Sequence, residues 1–142
     1  MKRVCFMSYL IVAVTIISGC ATQGTNISKN GKVTIDRTAS EKVFIPWADA
    51  YQDGNDLLLT GVVKRKSFSA GPLKSHVDVT IFSAEGAILQ EGYTKAIYVP
   101  GHRVGKGISW ERFRIRLPAV LPQGAKIKMV VGQGEHAENL PG

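Results

Sequence analysis

Cysteine is scarce in this chain. There are only two, Cys5 and Cys20, and Cys5 lies inside an apolar N-terminal run. A segment beginning at Cys20 has no second thiol, which excludes an internal disulfide and a cysteine-built metal site. Long apolar stretches are missing too. The longest run, Val4 to Ile17, holds 14 residues and as a helix spans roughly 20 Å, against the roughly 30 Å of a hydrocarbon core. It makes a poor permanent membrane span. No Gly-x-Ser-x-Gly elbow occurs, and no strong acidic excess: the net charge is +7, of which Lys2 and Arg3 supply two. A mildly basic chain suits anionic lipid heads, acidic polysaccharide or an acidic protein. With 44% hydrophobic and 20% charged residues, the composition is that of a folded domain rather than a disordered one.

The N-terminus has an address. Met1-Lys2-Arg3 is a positive start, Val4 to Ile17 an apolar centre, and Ser18-Gly19 a pair of small residues before Cys20. That is the layout of a secretory signal. Ile17-Ser18-Gly19-Cys20 resembles the lipobox of bacterial lipoproteins. The resemblance implies cleavage before Cys20, a thioether-linked diacylglycerol on its sulfur and often a further acyl chain, such as palmitate, on its amino group. One acyl chain anchors marginally and two anchor stably. Ala21 follows, rather than Asp, which by the same resemblance implies the outer membrane, with the domain in the periplasm. No cofactor other than this covalent lipid is expected.

The expected organisation is a signal peptide over 1–19, a lipidated flexible tether over 20–32, a β domain over 33–136 and a tail over 137–142. The tether, Ala21 to Lys32, is polar and carries no periodic apolar face. From Val33 the pattern has period two. Val33 and Ile35 alternate with Thr34 and Asp36. Val43-Phe44-Ile45 is a short run stopped by Pro46. Leu57, Leu59, Gly61 and Val63 alternate as far as Lys64-Arg65-Lys66. Val77, Val79 and Ile81 lead to a turn at Ser83-Ala84-Glu85-Gly86, and a strand follows from Ala87 to Val99. In it Gly92 marks an expected bulge, because apolar parity changes there. Glu111 to Leu117 is the clearest strand, ended by Pro118. After Leu121-Pro122-Gln123-Gly124 comes a last strand with Ile127, Met129 and Val131. Only Trp47-Ala48-Asp49-Ala50-Tyr51 offers a helical turn.

About seven strands in roughly 100 residues favour an antiparallel β-sandwich of immunoglobulin-like type; a small closed barrel is the alternative. The order also resembles small Ig-like lipoprotein domains of the FxLYD type, through Leu57 to Val63, Val77 to Leu89 and Phe113 to Gly124. The FxLYD motif itself and the Cys-Trp-Cys core of antibody domains are absent.

Few residues point to chemistry. His76, His102 and His136 lie far apart without ligand spacing and read as exposed loop histidines. Gly101-His102-Arg103-Val104-Gly105-Lys106-Gly107 is one residue too short for a phosphate loop and lacks its Ser or Thr. Asp49, Asp53 and Asp56 surround a Gly-Asn turn without the ordered ligands of a calcium loop. Ser75 precedes His76, but neighbours on a strand face opposite ways. An enzyme is therefore not expected.

The basic stripe is the candidate site. Arg112, Arg114 and Arg116 share one strand face, and if the last two strands pair, Lys126 and Lys128 lie beside them. Such a stripe suits phosphate, an acidic glycan or an acidic partner; the plain alternative is a solvated face with Glu111 nearby. Trp110 shares the parity of Arg112 and is expected to be partly exposed. Two functions follow as expectations: a non-enzymatic structural or protein-interaction module accessory to an envelope or secretion assembly, or a binding module for anionic envelope polymer or lipid heads. Nucleic acid is not expected as a partner of an envelope-facing domain, and few aromatics interleave the basic residues.

Overall fold

The computed structural model describes residues 24–68, 70–101 and 107–134. Ten strands run through them: β1 (Thr25–Asn26), β2 (Val33–Thr38), β3 (Val43–Phe44), β4 (Ala48–Asp53), β5 (Asp56–Arg65), β6 (Leu73–Phe82), β7 (Ile88–Tyr93), β8 (Ile97–Val99), β9 (Trp110–Leu117) and β10 (Ala125–Gln133). They form two sheets packed face to face. In the first, β5 is central. One of its edges pairs antiparallel with β4 (Ala50 opposite Leu59) and, past the break at Pro46, with β3; the other pairs with β9 (Ile115 opposite Leu59). β1 lies outside β4. In the second sheet, β10 pairs antiparallel with β6 and parallel with β2, and β7 and β8 share the far edge of β6. Among the described residues no strand pairs across the two sheets, so this is a sandwich and not a closed barrel.

Alternation explains the core. Leu57, Leu59 and Val63 of β5 meet Val77, Val79 and Ile81 of β6 and Ile127 and Met129 of β10, all fully buried or nearly so. Each such side chain contributes roughly 1.5–3 kcal/mol by leaving water. Inner positions stay close where a glycine lets them. A Cβ on Gly92 would sit 2.6 Å from Leu117 Cδ2, so Gly92 marks a close approach of the sheets. The bulge expected there lies elsewhere: the β6–β7 register slips between Ile81 and Phe82, opposite Ile88 to Gln90.

Four further expectations are corrected. Ala48 to Tyr51 is not a helical turn but part of β4, because Ala50 buries completely against β5. The single strand expected from Ala87 to Val99 is broken at Thr94, which exchanges two hydrogen bonds with Val77: its N–H donates to the Val77 carbonyl and its hydroxyl accepts from the Val77 N–H, both 2.9 Å. Residues 24–32 are not a free tether. Ile27 is 2% exposed, its N–H donates to Ala50 O, and the Ser28 hydroxyl accepts from the Ala50 N–H. One isolated apolar residue carries no periodicity, so the pattern did not reveal it. His76 is not in an exposed loop; it lies within β6 and is buried.

Where β5 ends, Arg65 turns inward and is 6% exposed. Its guanidinium donates to the carbonyls of Gly71 (2.6 Å) and Pro100 (2.9 Å). Buried charge persists only when hydrogen-bonded in this way.

Candidate functional site: a basic and aromatic face

The outer face of the first sheet is built from positions of odd and even parity that the core leaves over. β5 contributes Leu58, Thr60 and Val62; β4 contributes Tyr51; β9 contributes Trp110, Arg112, Arg114 and Arg116, standing opposite Lys64, Val62, Thr60 and Leu58. Pro46 interrupts the β3–β4 edge, and Trp47 projects there. The surfaces of Trp47, Tyr51, Leu58, Thr60, Arg112, Arg114 and Arg116 enclose an open groove of about 810 Å³. Trp47 and Trp110, the only tryptophans of the chain, are each about half exposed (44% and 48%). The partial exposure expected for Trp110 is what the structure has.

The three arginines differ in their company. Arg116 donates to Asp56 Oδ2 at 2.9 Å and lies 3.5 Å from Asp53 Oδ2. The hydrogen bond to Asp56 raises its pKa above the ordinary guanidinium value, with the charges of Asp56 and Asp53 adding to this. A raised value on a cation means that the pairing favours its charged form, which is held throughout the neutral range. Arg112 sits 5.7 Å from the Trp110 ring, within cation–π range. Glu111 Oε1 accepts from the Arg112 backbone N–H, not from its guanidinium. Among the described residues Arg114 has no ion pair. Asp49, the third acid of the turn cluster, lies 3.7 Å from Lys29 Nζ. So Arg112 and Arg114, with Lys64, are the cations that the local carboxylates leave uncompensated.

Lys126 and Lys128 do not join them. They stand on the outer face of the second sheet, opposite Phe82 and Thr80 of β6 and Thr34 and Asp36 of β2. The Pro118 to Gly124 connection carries the chain from one sheet to the other, so β9 and β10 are consecutive without being paired. The two basic stripes face opposite ways. Nothing in strand alternation could have shown this, since alternation gives the face of a residue and not the partner of its strand.

Other candidates resolve differently. Ser75 points inward, donating to Gly132 O at 2.7 Å, while His76 points outward, with Nδ1 3.1 Å from Gly134 O and Nε2 3.4 Å from Asp78 Oδ2. Serine and imidazole therefore do not meet. Among the described residues no three His, Cys, Asp or Glu side chains gather in a metal-ligating group. Cys20, His102, His136 and the centre of the 101–107 loop lie outside the described residues. Sequence reading missed Tyr51, Leu58 and Thr60 as groove walls. Their outward parity on β4 and β5 was the available signal, but it needed the pairing of β5 with β9 to bring them to the arginines. No family model, curated protein or solved structure matches the chain.

Proposed function

We propose that this protein is a lipid-anchored binding module of the bacterial envelope. Cys20 carries the acyl chains, the sandwich stands on the periplasmic side of the outer membrane, and it works by contact and not by catalysis, as an accessory to an envelope or secretion assembly. The lipobox-like Ile17-Ser18-Gly19-Cys20 supports the anchoring. The observation that carries the binding is the groove, where Arg112 and Arg114 stand uncompensated between aromatic walls. Guanidinium forks suit phosphate or carboxylate oxygens, and aromatic walls add contact at low entropic cost. An anionic envelope polymer or lipid headgroup is the ligand class this favours.

A protein partner is the second reading, and it draws on a different place. Among the described residues β7 pairs only with β6, and Ile88 and Leu89 at its start are 60% and 45% exposed. An apolar sheet edge is where a partner strand adds to a sheet. Mass spectrometry of protein from its native cell tests the anchor: a mature N-terminus at a diacylated Cys20 is expected, and an unmodified thiol behind an intact leader refutes it. Binding to purified lipopolysaccharide or peptidoglycan fragments tests the groove. Affinity should fall as salt rises, and binding that ignores salt counts against it.

A further inference from the structure

We infer that the Arg112–Arg114 face of the first sheet is laid against the phosphate headgroups of the bilayer that holds Cys20, an inference that rests on the lipid anchoring proposed above. The point where the chain enters the sandwich carries it. Gly24 is at the rim of the groove; a Cβ on it would meet Gln52 O at 2.5 Å. Thr25 and Asn26 then pair with Gln52 and Tyr51 and fix the entry to the edge of the first sheet. From Cys20 to Gly24 the chain advances four residues, a reach of at most about 14 Å. The second sheet is packed about 10 Å behind the first, with its outward side chains beyond that. Turning the Lys126–Lys128 face to the bilayer would put Gly24 at or past the end of that reach. Of the two broad faces, the tether brings the first to the membrane.

The chemistry of that face agrees with the placement. Both tryptophans of the chain are on it, half exposed, beside Tyr51 and Leu58. Aromatic rings with one polar edge settle at the boundary between headgroups and acyl chains. Arg112 and Arg114 are the groups that pair with phosphate. The carboxylates nearest the entry point are already engaged: Asp53 and Asp56 by Arg116, Asp49 by Lys29. Headgroups would therefore meet the cations bare and the acids compensated.

The tryptophans supply the test. The full-length lipidated protein is reconstituted into vesicles of phosphatidylethanolamine and phosphatidylglycerol, with or without a nitroxide on the headgroup, and into phosphatidylcholine vesicles. The expected result is flotation with both, tryptophan quenching by the headgroup nitroxide in the anionic vesicles, and reduced access of acrylamide. Raising salt from about 0.1 M to about 1 M shrinks the Debye length from about 10 Å to about 3 Å and should remove most of the quenching. The R112E/R114E variant should lose it several-fold while still floating. Protein that floats while its tryptophans stay open to acrylamide and unquenched overturns the inference and leaves the face to a soluble glycan or protein, with the anchor intact. Protein that floats with neither vesicle refutes the anchor, and this inference with it.

Discussion

Phe113 lies directly against the backbone of Gly61: a Cβ there would be 2.6 Å from its Cζ and 2.9 Å from the carbonyl oxygen of Trp47. The two residues stand opposite each other on β9 and β5, and the aromatic ring fills the space that a side chain on Gly61 would claim. Gly61→Val should therefore destabilise the fold by about 1–3 kcal/mol, the usual cost of overpacking. The midpoint of urea unfolding reads this. An unchanged midpoint would mean that the ring is free to swing away.

The segment before the first long strand is structural. Ile27 is 2% exposed, so Ile27→Ala removes buried methylenes and should cost about 2–4 kcal/mol. Ile27 lies in a stretch that reads as a polar tether, and a floppy tether would register no loss in a thermal melt.

Arg65 ties two connections together through the carbonyls of Gly71 and Pro100. Arg65→Met keeps the length of the side chain and removes both bonds. A loss of roughly 1.5–3 kcal/mol is expected for hydrogen bonds to a charged group. Hydrogen exchange should locate the damage. The amide of Lys66, which donates to Lys42 O, should exchange faster, while amides of β10 should be slowed or hastened only in proportion to global stability.

The opposed stripes predict a clean contrast. K126E/K128E should bind lipopolysaccharide as the unaltered protein does, and R112E/R114E should bind it at least several-fold more weakly at low salt, with the gap closing as salt rises. Both pairs are exposed, so neither should move the unfolding midpoint appreciably. Equal losses from the two variants would point to diffuse charge in place of a site.

Much of the architecture was readable because strand alternation is a local property. Glu111 to Leu117 emerged as a strand with its arginines outward, and the structure extends it by one residue to Trp110. The apolar positions of β5, β6 and β10 were legible for the same reason. What local pattern cannot hold is pairing. The arginines and lysines look like neighbours in sequence, yet β9 pairs with β5 and β10 with β6 and β2. Gly92 was visible as an irregularity, but its cause lies across the interior in Leu117. The polarity of His76 points to exposure, but its ring packs over Gly132, where a Cβ would be 2.5 Å from Cε1. The groove is half legible: its basic residues announce themselves, whereas its aromatic wall depends on where Pro46 breaks an edge.

The parallel pairing of β2 with β10, running from Val33 beside Ala125 to Thr38 beside Val130, joins nearly the first strand made to the last. The second sheet gains its edge only after Gln133 has been synthesised, so a growing chain that stops short of β10 has nowhere to place β2. Long-range closures of this kind are slow. A polypeptide built in this way completes its second sheet only once its far end has been made and can reach back to β2.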